Sequence, residues 1–148
     1  MPSSRPYIPS PTQWVRDQVE LYEGSGGARG TTLRDTGMPV IIVASVGAKS
    51  GATRKTPLMR VEKDGQYLLV ASKGGAPEHP KWYFNLKNNP AEVTIQDGGA
   101  KFEVTVRQLQ GAERDDWWTY AVSVFANYAV YQANTEREIP LLLAERKV

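Results

Sequence analysis

Short apolar runs separated by glycine-containing turns set the pattern of hydrophobic and polar positions along the chain. The run MPVIIVASVG (38–47) is apolar and rich in β-branched residues, which predicts a buried strand. TPLMRVEKDGQYLLVAS (56–72) predicts two strands joined at Asp64-Gly65, a dipeptide typical of tight hairpins. AEVTIQDGGAKFEVTVRQLQ (91–110) predicts a second hairpin, with one packed and one solvated face because its apolar residues alternate. REIPLLLAERKV (137–148) predicts a last strand.

Helical patterns occupy three other places. Val15, Val19 and Tyr22 share one face of a segment that runs from Thr12, a favourable N-cap, to Glu23. Residues 80–87 form a second short segment, with proline at the first turn. A third helix is expected to start near residue 112 and to continue through VFANYAVYQ (124–132). Hairpins with few helices predict an α+β fold around a small, mostly antiparallel barrel.

Length and composition limit what the chain can be. Its 148 residues fit one domain with one core, and the Pro- and Ser-rich residues 1–11 are expected to be disordered or draped over a neighbour. The absence of cysteine excludes disulfides and thiolate chemistry, and one histidine, His79, is too few for a multi-ligand metal or haem site. No run is long enough for a membrane span and the N-terminus lacks a signal core, so we expect a cytoplasmic protein.

Positive charge is concentrated in the middle of the chain. Residues 47–87 carry eight Lys/Arg against three Asp/Glu, a local charge of +5, whereas the whole chain carries +2. This asymmetry favours an anionic partner, although scattered lysines that keep the surface soluble give the same count. The basic residues lie in glycine-rich turns rather than along a helix face, so a nucleic acid is not expected as the partner.

The first candidate site is GAKSGATRKTPLM (47–59). Two glycines bracket a turn after a strand, and Lys49, Arg54 and Lys55 follow with the hydroxyls of Ser50 and Thr53. Turn N–H groups and basic side chains together suit an anion. The stretch does not match a P-loop, and the alternative is a polar hairpin turn.

The second candidate site is ASKGGAPEHPKWYFNLKNNP (71–90). Ser72 and Lys73 follow a strand, Gly74-Gly75 permits a close ligand contact, and flat side chains follow at Trp82, Tyr83 and Asn85. This combination suits a planar heteroaromatic ligand, and the alternative is that Trp82 and Phe84 are core residues.

The third candidate site is an aromatic ridge. Phe125, Tyr128 and Tyr131 recur every three residues, so a helix would place them on one side. A phenol there can donate a proton over an apolar pocket, or the rings can simply pack.

These three stretches, GAKSGATRKTPL, VASKGGAPEHPKWYFNLKNNP and YAVYQANTEREIP, resemble in order and spacing the deazaflavin-dependent nitroreductase and quinone reductase family of actinobacteria. The resemblance covers roughly residues 40–142. It implies a split β-barrel and an oxidoreductase that transfers hydride from reduced coenzyme F-420 to a quinone, a nitro compound or an activated alkene.

The family's roles carry over where residues match. The basic loop would hold the coenzyme's phosphate and polyglutamate tail, chiefly through Lys49 and Arg54. Tyr128, with Ser72, would donate a proton or hydrogen bond to the acceptor, and Trp14, Phe125 and Tyr131 would line its pocket. The implied cofactor contacts are Ala48, Lys49, Ser50, Arg54, Lys55, Thr56, Pro57, Leu58, Met59, Val70, Ala71, Ser72, Lys73, Lys81, Trp82, Tyr83, Asn85 and Tyr128.

Two departures from the family pattern bear on the site. Ala48 stands where the family loop often has arginine, which removes one contact to the tail. Phe125 stands where the best-known nitroreductase of the family has tyrosine, which weakens the case for bulky nitroimidazoles as substrates.

Other interpretations stay open on the sequence alone. A flavin mononucleotide enzyme on a small barrel would also need a basic phosphate site, and a non-catalytic carrier of the deazaflavin would share the same contacts. An open barrel edge favours a homodimer. Trp14, Val15, Leu21 and Tyr22 favour a weak membrane-surface contact of the first helix, second to a role as a lid or oligomer contact because the helix charges are mixed in sign.

Overall fold

A seven-stranded antiparallel sheet organises the protein, whose computed structural model describes residues 5–33 and 36–147. The strands are β1 (Val40–Val46), β2 (Thr53–Met59), β3 (Glu62–Lys63), β4 (Gln66–Val70), β5 (Val93–Asp97), β6 (Ala100–Gln108) and β7 (Leu141–Arg146). Their order across the sheet is β2-β1-β5-β6-β7-β4-β3, which leaves β2 and β3 at the two edges.

The sheet curls into a half-barrel. Side chains from strands that lie far apart in the sheet order meet on its concave face, which shows this curvature. The interior cluster joins β1 to β4 and β7 across the concave face and also receives two side chains of helix α2 (Lys81–Asn88). Its buried members are Ile41, Val43, Tyr67, Leu69, Ala71, Tyr83, Leu86, Val93, Ile95, Val104, Val106, Leu142 and Ala144. This mixed α/β half-barrel confirms the predicted fold class.

Helices cover the outer face of the sheet in two places. Helix α1 (Gln13–Gly24) buries Val19 and Tyr22 against β1. Helices α3 (Gly111–Val124) and α4 (Asn127–Ala133) pack on β4 and β7. The outer cluster beneath α3 and α4 has the buried members Met59, Val61, Leu68, Leu109, Ala121, Tyr128, Leu141 and Leu143.

The predicted turns and strands form, but β2 pairs with β1 and not with β4, its partner in the predicted hairpin. Asp64 and Gly65 both have positive φ (54° and 82°), as a tight hairpin requires, and they join β3 to β4. The packed face of β5 and β6 forms as expected, with Val93, Ile95 and Val104 buried, but Gln96 on the opposite face of β5 is buried as well. β2, however, starts at residue 53 and pairs along its whole length with β1 instead of extending the hairpin.

Three local expectations were wrong. The long C-terminal helix breaks at Phe125, whose extended backbone (φ −143°, ψ 99°) separates α3 from α4. Thr12 occupies the N-cap of α1, but its side chain makes no capping hydrogen bond. Of the two alternatives for residues 1–11, disorder does not hold for residues 5–8, which instead lie along a neighbouring segment: the Ile8 N–H donates to Thr53 O (3.0 Å), and Arg5 pairs with Glu92 (3.1 Å). Residues 1–4 of that segment lie outside the described residues.

Candidate functional site

The basic turn, residues 47–52, is a closed loop between β1 and β2. The Gly47 N–H donates to Ala52 O (2.7 Å), and the Gly51 N–H donates back to Gly47 O (2.9 Å) with Gly51 at φ +69°. Ser50 Oγ accepts from the Ala52 N–H (3.1 Å). The Ala48 N–H, which points out of the loop, donates to Asn85 Oδ1 of α2 (2.8 Å). Asn85 therefore fixes the turn to α2.

Strand alternation divides the predicted contacts on β2 between two faces. Arg54, Thr56 and Leu58 pair with Ser45, Val43 and Ile41, and Leu58 packs against the interior cluster. Lys55, Pro57 and Met59 are the intervening residues, and they face outward because successive side chains of a strand point to opposite faces. The structure brings only the first set toward the concave side.

Lys55 already has a partner on the outer face. Its Nζ donates to both carboxylate oxygens of Glu23 on α1 (2.8 and 2.9 Å) and lies 4.6 Å from the ring centre of Tyr7. In contrast, neither Lys49 nor Arg54 forms an ion pair within residues 5–33 and 36–147. These two cations therefore supply the uncompensated positive charge beside the basic turn.

The glycine turn, residues 72–75, follows β4 and lies against α4. Lys73, Gly74 and Gly75 all have positive φ (46°, 63° and 85°). A Cβ on Gly75 would lie 2.9 Å from Tyr131 O, so the second glycine is required by its close approach to the backbone of α4. A Cβ on Gly74 would meet nothing within 4 Å, so space beside the first glycine is open. Lys73 Nζ pairs with Glu78 (2.9 Å) on the surface.

Helix α2 presents a mixture of site and core residues. Trp82 is partly buried and packs against the interior cluster, as Leu58 does. Tyr83 is a core residue whose hydroxyl donates to Gln108 Oε1 (2.9 Å). Lys81 is exposed, and Phe84 is 49% exposed, so the interpretation of Phe84 as core was wrong. Val70 packs in the outer cluster and Ala71 in the interior cluster at the end of β4.

The aromatic cluster consists of Phe125, Tyr128 and Tyr131. The ring centre of Phe125 lies 5.1 Å from that of Tyr128 and 6.1 Å from that of Tyr131, although Phe125 is outside α4. Trp14 is separate from it: α1 packs on the outer face of β1, and Trp14 is 37% exposed there. The structure therefore brings together two of the three residues predicted for the acceptor pocket.

The aromatic cluster contains two phenols, Tyr128 and Tyr131, whose hydroxyls have no hydrogen-bond partner among the described residues, and Tyr128 is the more buried of the two. Tyr128 is 5% exposed, and its hydroxyl makes no hydrogen bond within the described part of the chain. No described side-chain N or O atom is both fully buried and unpaired, so the Tyr128 oxygen reaches the open surface of the cluster. Burial, and then the negative charge that Tyr131 would carry, raise the pKa of Tyr128 well above its ordinary value. Tyr128 is thus a protonated donor at neutral pH.

Arg137 is a site residue that the sequence did not indicate. Its guanidinium donates to Ala76 O (2.9 Å), Ala71 O (3.1 Å) and Ser72 O (2.8 Å), which encloses the glycine turn. The one signal in the sequence was its place in YAVYQANTEREIP (128–140), a stretch that resembles the family but by itself gives Arg137 no role.

The described residues contain neither a metal site nor a membrane-spanning helix. Among the described residues, no group of three His, Asp or Glu side chains is placed to hold a metal ion. No helix in the same part of the chain has both the length and the apolar composition to cross a bilayer.

Comparison with known proteins decides the family. The sequence matches the family model described as F420H(2)-dependent quinone reductase over residues 14–146. The chain belongs to this family. An F420H(2)-dependent quinone reductase of Mycobacterium tuberculosis is 36% identical over 138 residues, which cover 91% of each chain. The protein is therefore a reductase that depends on reduced coenzyme F-420 as hydride donor.

Solved structures of similar proteins agree with the fold. An F420-H2 dependent reductase is 50% identical and superposes with a TM-score of 0.68, covering 72% of this chain and 94% of its own. A structure described as a domain-swapped dimer is 47% identical, with a TM-score of 0.70 and coverage of 92% and 100%. A haem storage protein of Vibrio cholerae, 14% identical with a TM-score of 0.54 and coverage of 74% and 82%, shares the fold alone.

The described residues fit this cofactor. Lys49 and Arg54 carry charge that no described acid compensates, which suits an anionic tail. Met59 and Val70 offer apolar surface in the outer cluster that also contains Tyr128, which suits a flat ring system beside a proton donor. The redox-active group itself must come from the cofactor, because protein side chains do not donate hydride.

Proposed function

We propose that this reductase passes the hydride to a quinone, and that Tyr128 protonates or hydrogen-bonds the oxygen that becomes anionic. The observation that supports this is the Tyr128 hydroxyl, which belongs to a buried side chain, has no partner in the described chain and reaches the surface of an aromatic cluster. A hydroxyl that no protein group accepts from is free to donate a hydrogen bond to a ligand. An acceptor oxygen in the pocket would supply that partner.

The protein's part in the reaction is to bind, orient and supply a proton. Reduced coenzyme F-420 supplies the hydride when bound. Lys49 and Arg54 would hold its anionic tail, while Met59, which packs in the same outer cluster as Tyr128, and the residues of the glycine turn would position its rings. Phe125 and Tyr131 provide the walls for the acceptor, and Tyr128 Oη, together with Ser72 Oγ in the loop after β4, donates to the acceptor oxygen.

Quinones fit this pocket better than bulky nitro compounds. Its walls are rings, and Phe125 contributes no hydroxyl, so the donors of the cluster are the phenols of Tyr128 and Tyr131, of which Tyr128 is the more buried. A quinone needs one donor at the oxygen that gains charge, and its flat ring packs on aromatic side chains. Nitro compounds and activated alkenes remain acceptors to be compared in the test.

Cofactor titration and a panel of acceptors test the function. The purified protein is titrated with oxidised coenzyme F-420 and, separately, with flavin mononucleotide, and turnover is then followed with menadione, a nitroimidazole and an enone. We expect binding of the deazaflavin alone and the highest kcat/KM with menadione. Binding without turnover of any acceptor would support a carrier, and a preference for the nitroimidazole would reject the quinone assignment.

Lys49→Ala tests the anionic tail site. We expect the Kd for oxidised coenzyme F-420 to rise by about tenfold at low salt, since one charge-assisted contact contributes about 1.5–3 kcal/mol, and the difference from wild type to shrink as salt is added. The matched control is Lys63→Ala, because Lys63 is an exposed lysine on β3, at the opposite edge of the sheet from β2. Equal Kd values for Lys49→Ala and wild type at every salt concentration would contradict the site.

We also propose that the chain forms a homodimer. Support comes from the 47% identical structure described as a domain-swapped dimer and from the sheet's edge at β2, which residues 5–8 cover only near Thr53. Sedimentation at micromolar concentration should give twice the monomer mass. A single monomeric species would reject the proposal.

A further inference from the structure

The guanidinium of Arg137 joins two parts of the chain that lie far apart in sequence. Three of its donors are used on carbonyls of the loop after β4: Ala71, Ser72 and Ala76. A planar guanidinium presents five N–H donors in a rigid fork, so several acceptors on one group fix the loop in one shape. Other contacts within that loop are two turn bonds, from the N–H groups of Gly75 and Ala76.

Arg137 is itself held to α4. Gln132 of α4 donates through Nε2 to Arg137 O (2.8 Å) and accepts through Oε1 from the Ile139 N–H (2.9 Å). The segment that carries Arg137 therefore moves with α4, which also carries Tyr128. Through this chain of contacts, Arg137 links the loop of Ser72 to the helix of Tyr128.

A fourth contact of Arg137 sets the state of the only histidine. Arg137 Nη1 lies 3.0 Å from His79 Nδ1, and because a guanidinium can only donate, Nδ1 must accept. His79 is then neutral with its proton on Nε2. Burial, and then the charges of Arg137 and Lys87, lower the pKa of His79.

We propose that Arg137 is a positioning residue for the reaction: it holds the glycine turn against α4 so that Ser72 and Tyr128 keep one placement relative to each other. This inference rests on the proposed function, which places both of these side chains at the acceptor. Arg137 touches neither cofactor nor acceptor in this scheme; it acts through the loop. Its removal should therefore lower kcat more than it raises the KM for the acceptor.

The test compares Arg137→Ala with Arg114→Ala. Arg114 on α3 also fastens the segment before β7, since its Nη2 donates to Ile139 O (2.6 Å), but it does not reach the glycine turn. We expect kcat with menadione to fall about tenfold in Arg137→Ala, because small misplacements of reacting groups are costly, and to stay near wild type in Arg114→Ala. Millimolar guanidinium chloride should restore part of the loss in Arg137→Ala, whereas sodium chloride should not.

The pH profile gives a readout that general loss of packing would not change. Protonation of His79 removes an acceptor of Arg137 and places two cations side by side, so kcat should fall along an acid limb that lies below about 6.5, the ordinary pKa of histidine, because the pKa of His79 is lowered. His79→Gln keeps an accepting oxygen that does not titrate and should lack this acid limb. The other groups around His79 are Glu78, paired with Lys73, and Lys87, which lies over the Tyr83 ring.

The outcomes separate the proposal from the proposed function. Unchanged kcat in Arg137→Ala, or equal losses in Arg137→Ala and Arg114→Ala, would overturn the role of Arg137. If Tyr128→Phe also keeps full turnover in the same assay, the assignment of the site is wrong instead. If Arg137→Ala does not fold, Arg137→Lys decides, since one ammonium cannot reach all three carbonyls: wild-type kcat in this variant would also overturn the role.

Discussion

Tyr128→Phe is expected to lower kcat with menadione by about 10²–10⁴-fold, the range that general-acid assistance contributes. The Kd for oxidised coenzyme F-420 should stay within about twofold of wild type, because the ring and its packing remain and only the proton donor is lost. The hydroxyl makes no hydrogen bond within the described chain, so its removal leaves no protein group unpaired. Stopped-flow turnover and fluorescence titration measure the two quantities.

Tyr120→Phe is the matched control for Tyr128→Phe. Tyr120 borders the same outer cluster, but its hydroxyl donates to Glu62 O (2.7 Å), away from the aromatic cluster. This control should lose some stability and keep its turnover.

Because burial raises the pKa of Tyr128, wild-type kcat should show no alkaline limb from this group up to at least its ordinary pKa of about 10. An alkaline limb below that pH which disappears in Tyr128→Phe would contradict the raised pKa of Tyr128, whereas a kcat that rises with pH through this group would show that the hydroxyl acts as an anion.

The fold could be predicted from the sequence where each strand's pattern matches its burial. The apolar run of β1 predicts a buried strand, and the alternation of β5 and β6 predicts one packed face; the structure places Ile41, Ile95 and Val104 inside. The start of β2 could not be predicted, because TRK reads as a polar turn. These residues form a strand since β1 supplies hydrogen bonds as far as Thr53, opposite Val46.

The candidate site was less predictable because it depends on which face each side chain takes. The sequence places Lys55 beside Arg54, but alternation along β2 sends Lys55 to Glu23 on the outer face. Arg137 lies more than sixty positions from the carbonyls of Ala71 and Ser72, and no local pattern connects them. A resemblance to a family identifies motif residues, whereas such supporting contacts need coordinates.

Gly75→Ala is expected to combine a loss of stability with a loss of turnover. An alanine at φ +85° costs about 1–2 kcal/mol relative to an unstrained backbone. Its Cβ would lie 2.9 Å from Tyr131 O and 3.1 Å from Tyr131 Cα, which are backbone atoms that cannot rotate away. Overpacking of this kind costs a further amount of about 1–3 kcal/mol. Either the glycine turn or α4 must shift, so kcat should fall by about 10²-fold.

Gly74→Ala separates the two reasons for having glycine in this turn. Gly74 has a similar φ of +63°, but a Cβ there meets nothing within 4 Å, so only the backbone strain should appear in thermal unfolding. If Gly75→Ala loses far more stability and turnover than Gly74→Ala, the second glycine serves the contact with α4. If Gly74→Ala instead weakens binding of coenzyme F-420 more than Gly75→Ala does, the open side of the turn is ligand space. In that case the sequence Gly74-Gly75 combines two separate requirements: room for the cofactor at the first position, and room for the helix of Tyr128 at the second.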